Sequence, residues 1–108
     1  MSEELELACF QIITHVGTAR SNYIGAIQLA KEGKYDEADE LIKAGEKEFV
    51  EGHHAHADML TKEANGELGN AGVLLIHAED QLMSAEAFKI IAEELIEIYK
   101  RLDKKAEV

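Results

Sequence analysis

Four polar side chains, His77, Asp80, Gln81 and Ser84, interrupt an otherwise apolar line in the last third of this chain. On a helix, their spacing puts them on one face over two turns. A polar group at a core position destabilises the fold unless it is hydrogen-bonded, so a cluster there needs a reason. One reason is a buried hydrogen-bond network that fixes register, as a single polar core residue does in coiled coils. The other is nucleophilic chemistry. A neutral imidazole nitrogen of His77 can attack a phosphoryl group while its second ring nitrogen is held by a partner that fixes the tautomer. Gln81, one turn on, is placed to be that partner. No Lys or Arg lies within a turn of His77, so the charge of a transferred group must be met by another helix, another subunit or a partner protein.

Asp80 raises a separate question, because a carboxylate on a seam repeated by symmetry brings like charges together. Such a cluster is protonated, paired or bridged by a cation. Oxygen ligands suit Mg²⁺ or another hard divalent ion, with shared protons as the alternative. The remaining histidines make weaker patterns. His53 and His56 form an i, i+3 pair that zinc could use, but no further ligands of matching spacing are present. Glu51-Gly52-His53-His54 fits the Glu-x-x-His of di-iron bundles, which need a second copy and two more glutamates. His15 stands alone and reads as structural or solvated. The lone Cys9 lies on an apolar stripe and reads as a buried small hydrophobe.

The elements that position these groups are helices. There is no proline among 108 residues, and Ala, Leu, Ile, Glu and Lys are abundant. Two breaks, Glu32-Gly33-Lys34 and Asn65-Gly66-Glu67-Leu68-Gly69-Asn70, carry the residues that end helices. They predict an all-α fold of three helices over about 3–31, 36–64 and 71–104, with Asp36 and Asn70 as N-caps. Apolar positions recur in steps of three and four, the period of side-by-side packing in a bundle. In the first helix the seam is Leu5, Cys9, Ile12, Val16, Ala19, Tyr23, Ala26 and Ala30. In the second it is Ala38, Ile42, Gly45, Phe49, Gly52, His56 and Met59. In the third it is Leu74, His77, Gln81, Ser84, Phe88, Ile91, Leu95, Ile98 and Leu102. A parallel stripe of Val73, Ile76, Asp80, Met83, Ala87 and Ile90 turns acidic at Glu94 and Glu97. Two apolar stripes on one helix exceed what three helices need among themselves, which predicts a homo-oligomer.

The length suits one domain over 1–108. With 22 acidic residues against 11 basic ones, the formal charge of −11 argues against nucleic acid and anionic membranes and favours partners with basic surfaces. The opening Met-Ser-Glu-Glu-Leu-Glu-Leu has no basic n-region, and no apolar run reaches the ~20 residues of a membrane span, so no direct membrane insertion and a cytoplasmic location are expected. An acidic helical adaptor bundle without catalytic activity is the alternative function from a different class, and a metal-storage bundle is a second.

The segment from Leu75 to Ser84, Leu-Ile-His-Ala-Glu-Asp-Gln-Leu-Met-Ser, followed by Glu94-Leu95-Ile96-Glu97-Ile98-Tyr99-Lys100-Arg101-Leu102, carries a resemblance. It is similar to the enzyme IIA component of the lactose/cellobiose (N,N′-diacetylchitobiose) class of the bacterial phosphoenolpyruvate-dependent sugar phosphotransferase system. Gly17 to Ser21, Gly33 to Ala38, and Glu51-Gly52-His53 look like landmarks of that family in the same order. The resemblance implies an antiparallel three-helix bundle protomer assembling as a trimeric nine-helix bundle. It implies that His77 accepts phosphate from the histidine phosphocarrier protein and gives it to a cysteine of enzyme IIB during uptake of a β-linked disaccharide. It also implies that Asp80 meets its two copies at the trimer axis, with one divalent cation such as Mg²⁺ per trimer. Four positions depart from the family: Glu79 and Gln81, where it usually has glutamine and histidine, and His56-Ala57, where it more often has glutamine and threonine. Glu79 points about 160° away from His77, so it does not repel a phosphate there directly. Gln81 faces His77, and an amide in that place removes an ionisable ring while keeping donor and acceptor capacity.

Overall fold

The computed structural model describes residues 2–69 and 72–106, which form three helices and, among these residues, no strand. Helix α1 is Glu3–Lys31, α2 is Tyr35–Ala64 and α3 is Val73–Ala106. Helix α1 starts where the Ser2 hydroxyl accepts the Leu5 N–H at 3.1 Å, and Glu3, Glu4 and Glu6 sit at the positive end of its dipole. It ends at Gly33, whose φ of 77° lets the Gly33 and Lys34 amides turn back onto the carbonyls of Ala30 and Leu29. Gly66, with φ 72°, closes α2 in the same way.

Asp36 is not the N-cap of α2. Lys34 occupies that position with no side-chain cap bond, and Asp36 lies in the first turn, where it acts on the helix dipole. The helix begins earlier because Tyr35 is docked: its hydroxyl donates to the Asp103 carboxylate, and the Lys100 ammonium lies 5.7 Å over its ring. The expected cap at Asn70 lies outside the described residues.

These contacts also set the topology. Lys62 at the end of α2 pairs with Glu4 at the start of α1 at 2.6 Å, while Tyr35 at the start of α2 meets the end of α3. The three helices run up, down and up, and α1 lies parallel to α3 in a rod of 61 × 19 × 16 Å.

The α1 seam is buried as the spacing predicts, from Leu5 through Ala30, with Cys9 fully enclosed. Burial pushes the Cys9 thiol up, further from its reactive thiolate form. In α2, Ala38, Ile42, Gly45, Gly52 and Met59 are buried, while Phe49 and His56 are half-buried. Helix α3 departs from expectation. Its buried line is Ala78, Leu82, Ala85, Ala92 and Ile96, one residue round from the expected line through His77, Gln81, Ser84 and Phe88. The small alanines let α3 approach closely, since interaxial distance follows the side chains at the contact. Neither of the two stripes read from the sequence is therefore the buried one. His77 is exposed, Gln81 and Ser84 are half-buried, and the second stripe faces outward: Val73, Ile76, Met83 and Ile90 are 60–81% exposed.

The Tyr35–Asp103 clasp gives a pH test of the far end of the bundle. Its hydrogen bond to Asp103, aided by burial and by the carboxylate's charge, pushes the Tyr35 hydroxyl up to about 12 from its usual 10. A raised acid favours the neutral phenol in the folded chain. Its stabilising effect is complete below pH 10 and is lost as pH rises through 12. Ultraviolet titration of the phenolate is expected to show one late tyrosine that returns toward 10 in Asp103→Asn.

Candidate functional site

His77 lies in the second turn of α3, past the linker that leaves α2, with its ring in solvent. Its neighbour Ala78 is fully buried against α1 and α2, so the backbone carrying His77 is anchored while the imidazole is free. Leu68, Leu74 and Leu75 pack on the same cluster and hold the first turn of α3 down. Gln81 stands one turn on, half-buried, and Asp80 is exposed in the outward stripe between Ile76 and Met83. The continuous helix thus brings His77 and Gln81 onto one flank and sets Asp80 on the adjoining outer face.

A hard cation at Asp80 would find one carboxylate per chain, in an otherwise apolar stripe. Among the described residues, no group of three or more His, Cys, Asp or Glu forms a metal site within one chain. A single oxygen-bearing side chain fits a divalent ion only where several chains converge.

Two of the other histidines, His15 and His56, are tied to carboxylates on neighbouring helices. His15 Nδ1 lies 2.8 Å from Glu48 Oε2, joining α1 to α2. His56 Nε2 lies 2.5 Å from Glu79 Oε1, joining α2 to α3. The His56 side chain is 14% exposed and the Glu79 side chain 45%, so the ring is sheltered while its carboxylate partner reaches solvent. His53 stacks obliquely on Phe49, with ring centroids 6.2 Å apart. The His53–His56 zinc pairing is not formed, because one ring is on Phe49 and the other is on Glu79. Sequence reasoning treated Glu79 and His56 as two separate departures and missed that they are partners. The signal was that both positions change character together, one to an acid and the other to a base.

Further along the bundle, α2 and α3 enclose a cleft of 430 Å³ lined by Tyr23, Glu46, Phe49, Val50, Lys89 and Ile90, among others. At its base Tyr23 is fully buried, and its hydroxyl has no hydrogen-bond partner among the described residues. Desolvation pushes this phenol up. Lys89 at the rim pairs with Glu46 at 2.9 Å and with Glu93 at 3.5 Å, and the Glu46 bond pushes the ammonium up. On the other flank of α3, the Arg20 guanidinium lies 4.8 Å over the Phe88 ring. No described helix is long and apolar enough to cross a membrane.

Comparison with known proteins agrees with this geometry along nearly the whole chain. The family model described as the lactose/cellobiose-specific IIA subunit of the phosphotransferase system matches residues 7–100. The oligo-beta-mannoside-specific EIIA component of Bacillus subtilis is 42% identical over 95 residues, covering 88% of this chain and 86% of that protein. The lichenan-specific phosphotransferase enzyme IIA component of the same organism is 38% identical over 102 residues, covering 94% and 93%. The crystal structure of the cellobiose-specific enzyme IIA from Bacillus anthracis superposes with a TM-score of 0.92 at 42% identity, covering 97% of this chain and 96% of that one. The three-helix rod and the matched span from Leu7 to Lys100 together show that this chain belongs to the lactose/cellobiose-specific IIA family of the sugar phosphotransferase system.

Proposed function

We propose that this chain is the phosphoryl carrier of a sugar phosphotransferase system. It takes phosphate on His77 from the histidine phosphocarrier protein and delivers it to a cysteine of enzyme IIB during uptake of a β-linked disaccharide. The observation that carries the reading is an exposed imidazole on an anchored turn of α3, in a chain of the IIA family. A carrier must meet two partner proteins in turn at one atom, so its nucleophile must be accessible while the backbone under it is fixed.

In the first transfer, the lone pair of one neutral His77 ring nitrogen forms the new N–P bond as the donor's N–P bond breaks. The donor's electron pair stays on its ring nitrogen, a donor that entered protonated leaves as neutral imidazole, and the positive charge passes to the His77 ring. Gln81, one turn on, would accept the remaining ring N–H through its side-chain oxygen and so hold the tautomer. In the second transfer, a cysteine thiolate of enzyme IIB attacks phosphorus, the N–P pair returns to His77, and the ring is neutral again.

The working form we propose is a cytoplasmic homotrimer built on the outward stripe of α3. Ile76, Met83 and Ile90 are 66%, 60% and 61% exposed in the single chain, and three parallel copies bury them together. Asp80 would then meet its two copies, and the three carboxylates would hold a divalent cation such as Mg²⁺ through oxygen ligands, its charge offsetting two of their three. The ion's part is to hold the trimer; His77 and Gln81 carry the transfer.

The test is incubation with phosphoenolpyruvate, enzyme I and the phosphocarrier protein. One acid-labile phosphate per chain, mapped to His77 and chased onto enzyme IIB, is the expected outcome. No label, or acid-stable label on a hydroxyl, overturns the reading in favour of an adaptor bundle. Several tightly bound ions per chain would point to metal storage instead.

A further inference from the structure

We propose that His56 of one copy, held by Glu79, completes the phosphoryl site of His77 in the next copy of the trimer, so that each site is built from two chains. This rests on the carrier reading and the α3-centred trimer, and it adds a phosphoryl-binding residue to them.

It follows from the azimuth of residues on α3. Ala78 is fully buried and marks the direction of the protomer's own core. His77 and Glu79 stand one residue before and after it, about 100° round on either side, so they occupy opposite flanks of the same helix. The outward stripe of Ile76, Asp80 and Met83 lies between those flanks, on the side away from Ala78. When three parallel helices gather around an axis by that stripe, the contacts are head-to-tail: one flank of each copy meets the opposite flank of the next. Rotation about the axis keeps every residue at its own height, and His77 and Glu79 differ by only about 3 Å along the helix. The flank facing His77 is therefore the one where the next copy's Glu79 holds His56.

Charge and geometry make that pairing productive. A phosphoryl group on His77 has no Lys or Arg within a helical turn to meet it. His56 is a cation-forming ring whose Nε2 is engaged by the Glu79 carboxylate at 2.5 Å, leaving Nδ1 as the free nitrogen. With Nε2–H given to Glu79 and a second proton on Nδ1, the ring donates to a phosphoryl oxygen while the carboxylate fixes its plane. Glu79 is the positioning residue, acting through His56.

Mixed trimers test this. Chains carrying His77→Ala are expected to take no phosphate, and chains carrying His56→Ala to take it about a hundredfold more slowly than the native chain. After the two are unfolded together and refolded as mixed trimers, about half of the His77-bearing chains have a neighbour with an intact His56, and these are expected to label at the native rate. A fast phase of that amplitude supports the shared site. A mixture that labels only at the slow rate overturns it, because His56 then acts within its own chain or only on folding. His56→Gln keeps a bond to Glu79 without a cation; it is expected to be as slow as His56→Ala, and a native rate in that variant also overturns the proposal. The parent readings fail in different ways: a native chain that takes no phosphate removes the carrier reading, and a native chain that light scattering finds monomeric removes the trimer.

Discussion

Replacing His77 by alanine is expected to abolish phosphoryl transfer, lowering it at least a thousandfold, while the helical circular dichroism and the melting temperature stay near those of the native chain. The two halves of that expectation come from different facts. In the proposed carrier the His77 ring forms the N–P bond, and the alanine methyl has no lone pair to take its place, so transfer through this site is lost. Stability is spared because His77 is exposed and the turn beneath it is held by Ala78 and Leu82, which are untouched. Rapid-quench measurement of acid-labile phosphate gives the first quantity and thermal melting the second. A variant that retains a tenth of the native rate would mean that the phosphate resides on another side chain.

The second large effect concerns folding. Gly45 lies on α2 against Tyr23, the largest fully buried side chain, and a Cβ built there would stand 2.6 Å from the Tyr23 ring. Alanine would gain about 1 kcal/mol of helix propensity over glycine. The collision offsets this, since the ring is fully buried and overpacking of this kind costs about 1–3 kcal/mol. Gly45→Val adds two further methyl groups and a β-branched backbone preference. It is expected to lower the melting temperature by about 10 °C or more, given ~4–8 °C per kcal/mol for domains near this size. Gly17, which also lies within a helix, has nothing within 4 Å of a built Cβ. Gly17→Ala is therefore expected to raise the melting temperature, which makes the pair a test of close approach rather than of glycine content. Equal losses at both positions would refute the packing account.

How legible these features were in the sequence differs from helix to helix. In α1 the three-and-four spacing from Leu5 to Ala30 matches the buried line, because the helix is covered on one side by both partners. In α3 the large side chains pointed to the wrong line. Ile91, Ile98 and Leu102 are 48%, 50% and 56% exposed, and alanines, which carry little hydrophobic signal, form the contact. A helix that must serve its own core and further contacts spends its small residues where backbones approach and leaves its large ones facing out. For the same reason His77 is an exposed group on a flank and not a polar intrusion in the core. Helix boundaries were close because glycines with positive φ mark them, at Gly33 and Gly66. The start of α2 was displaced by a contact 68 residues away, Tyr35 to Asp103, which no local signal announces. The His56–Glu79 bond spans 23 residues and two helices, and only the folded chain shows it.

The up-down-up course of the helices has a practical consequence for anyone who needs to hold this protein without silencing it. His77 is in the second turn of α3, and the exposed Lys104 lies 27 residues further along the same straight helix, about 40 Å away. The parallel start of α1 sits at the His77 end, near Leu68 and Leu75. A dye, a surface linker or a fused reporter at Lys104 is therefore remote from any protein docked on the imidazole, whereas the same attachment at Ser2 or Glu3 would crowd the docking end.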